Sequence, residues 1–246
     1  MSYLLILAST IQEINLLASQ LKEMKAFSLG EKQGYQGTLF NYEVQLLITG
    51  IGTANVAQSL TASIYYRRPD LVWLIGCGGA YPESGLKIGD FALASEEIWA
   101  EAGAYTEAGW ESLDKINLPY LIKNGRYLYN CFPMNERLNN LLAKSILSLL
   151  PDSNLKIGPF LTTDATTGDI QRLSILRQRF FGVCENMEGA AVAQVCTIYG
   201  IPCLELRCIS NLVGSYNRKN WKIASAAKNC QKLVLNLLER GSDWWV

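Results

Sequence analysis

The chain has 246 residues, 22 Lys+Arg against 22 Asp+Glu, 49% apolar residues and no histidine. Zero formal charge without a basic stripe excludes a nucleic-acid binder, whose affinity rests on neutralising phosphates, and no run of uncharged apolar residues is long enough to span a membrane as a helix. Without histidine no Ser-His-Asp or Cys-His pair can exist, and a zinc site would need cysteines and carboxylates alone, so acid–base work falls to Asp and Glu.

Residues 3–8 are apolar throughout, as in a parallel strand covered on both faces. The start lacks the basic residues and cleavage site of a signal peptide. Ser9-Thr10 can cap a helix carrying Ile11, Ile14, Leu17, Ala18 and Leu21 at three- and four-residue steps, with Glu13 in its first turn. A carboxylate there is favoured by the helix dipole, whatever else it does. Residues 35–40 and 43–49 read as a hairpin turning at Asn41-Tyr42. Gly50-Ile51-Gly52 then opens a helix to Tyr66. Glycines between a strand and a helix let backbone approach a ligand beside free N–H groups. This run nevertheless lacks the third glycine of a dinucleotide fingerprint and the lysine of a P-loop.

A strand over 71–75 ends in Gly76-Cys77-Gly78-Gly79, and Lys87-Ile88-Gly89-Asp90 turns into a strand over 91–95. Residues 101–130, rich in Gly, Tyr and charge, form a long functional or flexible insertion. An amphipathic helix over 135–150 precedes a strand over 157–163, the loop 164–168 and a helix over 169–180. A last helix over 221–238 carries Ala224, Ala227, Val234, Leu237 and Leu238 on one face, with Trp244-Trp245 as a docked tail. The seven cysteines (Cys77, Cys131, Cys184, Cys196, Cys203, Cys208 and Cys230) are scattered without a Cys-x-x-Cys pair, which predicts reduced thiols in a cytoplasmic protein. Strands alternate with helices without linkers or repeats, so residues 1–246 are expected to form one α/β domain.

The most informative stretch begins at Val183. It runs into Glu185-Asn186-Met187-Glu188 and then into a small-residue helix that stops at Gly200, with Pro202 beyond. Residues 202–209 form the next strand, with Ser210-Asn211 at its carboxyl end. Ligands of open α/β sheets bind where strands end. Glu185 and Glu188 are thus either part of a site or a capping pair on a solvated turn.

Gly50-Ile51-Gly52, Gly76-Cys77-Gly78-Gly79, Lys87-Ile88-Gly89-Asp90, Asn186-Met187-Glu188-Gly189-Ala190-Ala191 and Arg207-Cys208-Ile209-Ser210-Asn211 occur in the order and spacing of the nucleoside phosphorylase/nucleosidase superfamily. Over nearly its whole length the chain resembles the hydrolytic branch, that of the methylthioadenosine/S-adenosylhomocysteine nucleosidases. Glu185-Asn186-Met187-Glu188-Gly189, and Ser210-Asn211 with Asn217-Arg218-Lys219-Asn220-Trp221, narrow the resemblance to futalosine hydrolases. It implies a mixed, partly barrel-like central sheet wrapped by helices, a homodimer or higher homo-oligomer, a small-molecule nucleoside substrate, and no metal or cofactor. By the same resemblance Glu13 is the base for water, Glu188 holds the ribose hydroxyls and Met187 packs under the sugar. Gly50, Ile51, Gly52, Cys77, Gly78, Thr166, Asn186 and Ser210 complete the substrate-binding positions, and Arg218 is the candidate partner of the benzoate carboxylate of futalosine.

The residue chemistry bears on this directly. Breaking an N-glycosidic bond develops positive charge on the ribose and negative charge on the base, so carboxylates and a donor to the base are needed. Asn211 stands where the adenine-releasing enzymes carry Asp. An amide cannot protonate, but it can donate to a ring nitrogen or a carbonyl oxygen, which suggests hypoxanthine as the base. Thr166, where those enzymes place an aromatic residue, also points to a changed pocket. Phosphate binding needs strong cationic donors, and the first 66 residues contain no arginine. Arg207, on an apolar strand, reads as a brace of the core or the site wall. Water is therefore the expected nucleophile. The rivals are a methylthioadenosine/S-adenosylhomocysteine or aminodeoxyfutalosine nucleosidase, a purine nucleoside phosphorylase, and a non-catalytic nucleoside-binding module.

Overall fold

Strand β1 (Tyr3–Ala8) is buried along its whole length, and its alternate side chains feed the two faces of the sheet. Leu4, Ile6 and Ala8 join one apolar cluster, Leu5 and Leu7 the other. Each fully buried leucine or isoleucine contributes roughly 2 kcal/mol. The structure is a computed structural model that describes residues 2–241; the Trp244-Trp245 tail lies outside the described residues.

After β1 the chain makes a 3-10 turn (Ile11–Glu13) and only then helix α1 (Asn15–Gln20), in place of one continuous helix. The break is held from outside. Gln231 Oε1 accepts from the N–H groups of Leu16 (2.7 Å) and Leu17 (3.3 Å), while its Nε2 donates to the carbonyl of Gln12 (3.0 Å). Strands β2 (Lys22–Leu29), β3 (Lys32–Leu39) and β4 (Tyr42–Ile48) form a meander that contains the expected hairpin. Nothing in Lys22–Leu29 marks a strand in advance. At the sheet edge most of its side chains are exposed, so neither alternation nor an apolar run develops.

Helix α2 (Thr53–Tyr66) follows the glycine loop, and β5 (Leu71–Ala80) continues through the glycines instead of ending at them. Strand β6 (Phe91–Trp99) likewise outruns its expected end at Ser95. Residues 101–130 fold largely into two small hairpins, β7 (Gly103–Thr106) with β8 (Gly109–Ser112) and β9 (Leu121–Lys123) with β10 (Arg126–Leu128). Strand β11 (Cys131–Pro133) then returns to the edge of β6. Helix α3 (Glu136–Leu149) is capped by Asn135, whose side chain accepts from Leu138 N–H. Next come β12 (Leu155–Thr162), α4 (Ile170–Arg179) capped by Asp169, and β13 (Cys184–Asn186). Helix α5 (Gly189–Tyr199) ends on a left-handed Gly200, as the stop signal requires. Strand β14 (Cys203–Leu212) takes in Ser210 and Asn211 rather than stopping before them. Helix α6 (Ile223–Arg240) buries Ala226, Ala227, Cys230, Leu233, Val234, Leu237 and Leu238; Ala224, expected on that face, is exposed.

The main sheet has ten strands in the order β11-β6-β12-β13-β5-β1-β4-β3-β2, and β14 pairs with both β5 and β6. Strands β5, β13, β12, β6 and β14 thereby close on themselves, while β1 to β4 extend as an open sheet. The pairing is mixed: β5 runs parallel to β1 and β14 and antiparallel to β13. Helices α1, α3 and α6 cover one face, α2 and α5 the other, and α4 packs over a third cluster with Tyr81, Leu161 and Val213. This is the mixed, partly barrel-like α/β fold expected. Among the described residues no helix is long and apolar enough to cross a membrane.

The glycines of β5 are matters of space. A Cβ on Gly78 would stand 2.3 Å from Cys184 Sγ, and one on Gly76 would stand 2.6 Å from Glu13 Oε1. The strand can therefore pass beneath the groups that converge on it only by shedding its own side chains.

Gln231→Leu should leave the Gln12 carbonyl and the Leu16 and Leu17 amides without partners. The expected loss is about 2 kcal/mol, read as a lowered denaturant midpoint at unchanged m-value.

Candidate active site

The parallel strands deliver their carboxyl ends to one rim, and a cavity of about 500 Å³ opens there. It draws Glu13 from the turn after β1, Ile51 from the loop after β4, and Cys77, Gly78 and Gly79 from β5. Thr166 comes from the loop after β12, residues 185–188 from β13 and its exit, and Arg207, Ser210 and Asn211 from β14. Trp221 and Ile223 close the far side. A smaller cavity of about 400 Å³ adjoins it, sharing Asn211 and Trp221.

The floor is polar. Glu13 is 7% exposed. Its Oε2 accepts from Thr10 N–H (3.1 Å) and Thr10 Oγ1 (2.9 Å), and its Oε1 accepts from Cys77 N–H (2.9 Å). The Thr10-to-Glu13 spacing is a capping box, so the same contacts that aim the carboxylate also start the turn. Beside it, Glu188 Oε1 accepts from Gly52 N–H (3.0 Å) and Oε2 from Arg207 Nη2 (3.3 Å). Gly52 has φ 95°, a left-handed conformation that turns this N–H to the carboxylate ahead of α2.

Arg207 ties the floor together. Its Nε donates to Glu205 Oε1 (2.8 Å) and its Nη1 to the carbonyl of Cys77 (3.1 Å). Burial alone would weaken its hold on the proton, but the carboxylates of Glu205, Glu188 and Glu13 outweigh that and keep it charged. Behind it Glu97 and Glu205 are both fully buried. Glu97 accepts from Asn186 Nδ2 (2.7 Å) and Thr162 Oγ1 (2.7 Å), while Glu205 Oε2 is reached by no N–H or hydroxyl. Burial first, and then the neighbouring Glu205, push Glu97 well above the usual carboxylate range. Burial also pushes the Cys77 thiol upward, with the Glu13 charge beside it adding to the shift, and Cys77 lines the cavity wall.

At the opposite end, Ser210 Oγ donates to Asn211 Oδ1 (2.7 Å), which fixes the amide and leaves its Nδ2 for a ligand. Glu185 lines the same end. Its Oε1 accepts from Thr167 N–H (2.9 Å) and its Oε2 from Tyr81 O–H (3.2 Å). Burial raises its pKa, against the opposing pull of those donors.

Most of the sequence candidates meet here: Glu13, Ile51, Cys77, Gly78, Thr166, Asn186, Met187, Glu188, Ser210 and Asn211 all line the cavity. Three do not. Gly50 and Gly52 stand behind Ile51 and shape its loop. Arg218 is exposed in the 3-10 turn Arg218–Asn220 and lines neither cavity, because that turn brings Trp221 inward instead. Asn186 lines the wall, yet its amide is committed elsewhere: Oδ1 accepts from the N–H groups of Glu188 (2.9 Å) and Gly189 (2.7 Å). It positions Glu188 from behind. Glu97 and Glu205 carried one signal in the sequence, an acidic residue inside an apolar strand. The glycine loop also has a cation nearby: Lys32 Nζ donates to Asn55 Oδ1 at 2.6 Å, outside the cavity.

Gly189→Ala would set a methyl 2.1 Å from Glu97 Oε1 and 2.3 Å from Glu205 Oε2, both locked in the buried network. It should cost about 1–3 kcal/mol by overpacking, measured as a fall in the denaturant midpoint.

Comparison with known proteins identifies the family and the fold. The profile of the phosphorylase superfamily matches residues 2–239. The futalosine hydrolase of Thermus thermophilus is 32% identical over 216 residues, covering 88% of this chain and 88% of that protein. The 5′-methylthioadenosine/S-adenosylhomocysteine nucleosidase of Staphylococcus carnosus is 27% identical over 237 residues, covering 95% of this chain and 98% of that one. Among solved structures, the Neisseria meningitidis 5′-methylthioadenosine/S-adenosylhomocysteine nucleosidase in complex with methylthio-immucillin-A superposes with a TM-score of 0.85 at 21% identity, covering 98% of this chain and 100% of that chain. The Streptococcus pyogenes S-adenosylhomocysteine nucleosidase in complex with 5-methylthiotubericidin gives 0.83 at 21% identity, covering 97% of each chain. With the profile spanning nearly all of its length, the chain belongs to the phosphorylase superfamily.

Proposed function

We propose that this protein hydrolyses the N-glycosidic bond of futalosine, releasing hypoxanthine and dehypoxanthine futalosine, a step of menaquinone biosynthesis. As a member of its superfamily the chain is an enzyme of N-glycosidic bond cleavage. The observation that carries the choice of base is Asn211, an amide held by Ser210 at the base end where a proton-donating carboxyl would otherwise stand. The 5′ group rests on the likeness to the Thermus enzyme.

In this reading the purine lies toward Asn211 and Thr166, and the ribose over Met187 and Glu188. Glu188 accepts from the ribose hydroxyls, and those bonds strengthen as positive charge grows on the sugar. The C1′–N9 bond breaks with its electron pair passing to the base, which leaves as the purine anion and takes a proton from solvent, while the proton taken up by Glu13 returns to solvent. Glu13 takes a proton from the water that attacks C1′. Asn211 Nδ2 donates to an acceptor atom of the departing purine.

Water rather than phosphate fits the charge. Among the described residues Arg207 is the one Lys or Arg lining the cavity, and it is already paired with Glu188 and Glu205. A phosphate anion would meet the carboxylates of Glu13 and Glu188 without a free cation to offset them.

The reading is tested by base release from futalosine, its 6-amino analogue, inosine and methylthioadenosine, each with and without phosphate. Hypoxanthine from futalosine without phosphate, with little from inosine, is expected. Adenine from methylthioadenosine as the main activity would assign the protein to the adenine-releasing nucleosidases, and phosphate-dependent turnover would make it a phosphorylase. Glu13→Gln should lower kcat by about 10²–10⁴-fold at nearly unchanged KM. Asn211→Asp should shift preference toward the 6-amino substrate.

A further inference from the structure

The base end of the cavity holds a carboxyl group for which the mechanism above has no use. Glu185 on β13 and Asn211 on β14 both pair with Gly79 of β5, one from each side. Residues opposite one another on neighbouring strands share a face of the sheet, and Gly79 puts no side chain between them. Neighbouring strands lie about 4.8 Å apart. The carboxyl and the amide therefore flank a glycine-floored gap roughly 10 Å across, about the width of a purine edge.

Glu185 is 5% exposed and held rigidly by Thr167 N–H and Tyr81 O–H. Among the described residues it has no ion-pair partner. Arg172, the guanidinium whose field reaches it, is bound to Glu101, to Thr167 Oγ1 and to the Ala165 carbonyl. A buried carboxylate with three neutral donors, the N–H and hydroxyl of Thr167 and the hydroxyl of Tyr81, retains one more lone-pair site for a ligand donor, and the space in front of it is the cavity.

We infer that Glu185 determines base specificity, its carboxylate accepting the N1–H of a 6-oxopurine while Asn211 donates to an acceptor on the same ring. This rests on the reading of the cavity as a nucleoside site and deepens it. Asn211 offers its Nδ2 as a donor, and adenine as well as hypoxanthine carries ring-nitrogen acceptors, so Asn211 alone does not exclude adenine. A carboxylate can. Hypoxanthine carries a proton at N1, whereas adenine presents a lone pair there, which would face the lone pairs of Glu185. A site built to accept a substrate N–H rejects the analogue lacking it far more strongly than an apolar pocket rejects a methyl group. Below the raised pKa of Glu185 the carboxyl becomes a donor, and the preference should fade. The other titratable groups facing it are Tyr81, Cys184 and Arg172.

The test is calorimetric binding of the free bases hypoxanthine, 1-methylhypoxanthine and adenine to the wild type and to Glu185→Gln. Free bases make the readout independent of the 5′ group, so failure of futalosine as a substrate would leave this test standing. The wild type should prefer hypoxanthine over both other bases by about 100-fold or more, with the preference weakening toward acid pH. Glu185→Gln should lose that preference and its pH dependence, since the amide can offer adenine N1 a donor. Equal weakening of all three bases in the variant would reduce Glu185 to a support for the Thr167 loop and overturn the proposal. So would a wild type that binds 1-methylhypoxanthine as well as hypoxanthine, a comparison that needs no variant to fold.

Discussion

The structure depends on one buried cation. Arg207 is 2% exposed and touches Glu205, Glu188 and the carbonyl of Cys77. A guanidinium taken out of water is costly unless its donors are met by anions and carbonyls, and the carboxylates around it would be as costly alone. Removing one member of such a network typically costs about 3–5 kcal/mol, because the remaining charge is stranded. The carboxylates outnumber the cation, and burial together with the neighbouring Glu205 raises the pKa of Glu97. The floor of the cavity is thereby set in place before any ligand arrives.

That arrangement needs room as much as charge. Strand β5 passes under the network carrying glycine at 76, 78 and 79, and α5 begins at Gly189 against Glu97 and Glu205. Each position is one where a methyl group would meet a sulfur, an oxygen or a nitrogen of the site. The glycines that suggest a phosphate-cradling loop are, for β5, the space into which the surrounding side chains lean. At Gly52, by contrast, the glycine acts by conformation, turning its N–H to Glu188.

The two ends of the cavity then differ in kind. At the end holding Glu13 and Glu188, charged groups are paired with one another and with backbone N–H groups. At the other end, a neutral amide and a carboxyl held by neutral donors flank Gly79. Under the proposed function that difference matches the reaction: charge grows on the ribose, while the leaving base has only to be recognised and received. The pattern of donors and acceptors at the base end would then decide which purine leaves.

The sequence by itself determined most of the strands and helices, the rim where strands end, and most residues that line the cavity, whereas the strict alternation of strand and helix it suggested gives way to the runs β2–β4 and β6–β11. Those properties rest on local signals: apolar runs, glycine and proline stops, the Thr10–Glu13 spacing, and a motif order that is linear in the chain. It did not reveal the edge strand β2, whose exposed face leaves no periodic pattern, nor the continuation of β5 through its glycines, since only neighbouring strands explain the missing side chains. Arg218 looked as suitable a cation as any in the chain, and the 3-10 turn around it left it in solvent while Trp221 took the inward place. Glu97, Glu205 and Arg207 lie far apart in sequence or on an apolar strand, and Glu185 and Asn211 become partners only across Gly79. Which charges are buried together, and which groups share one face of a closed sheet, is decided by strand pairing at long range, and no local pattern carries that information.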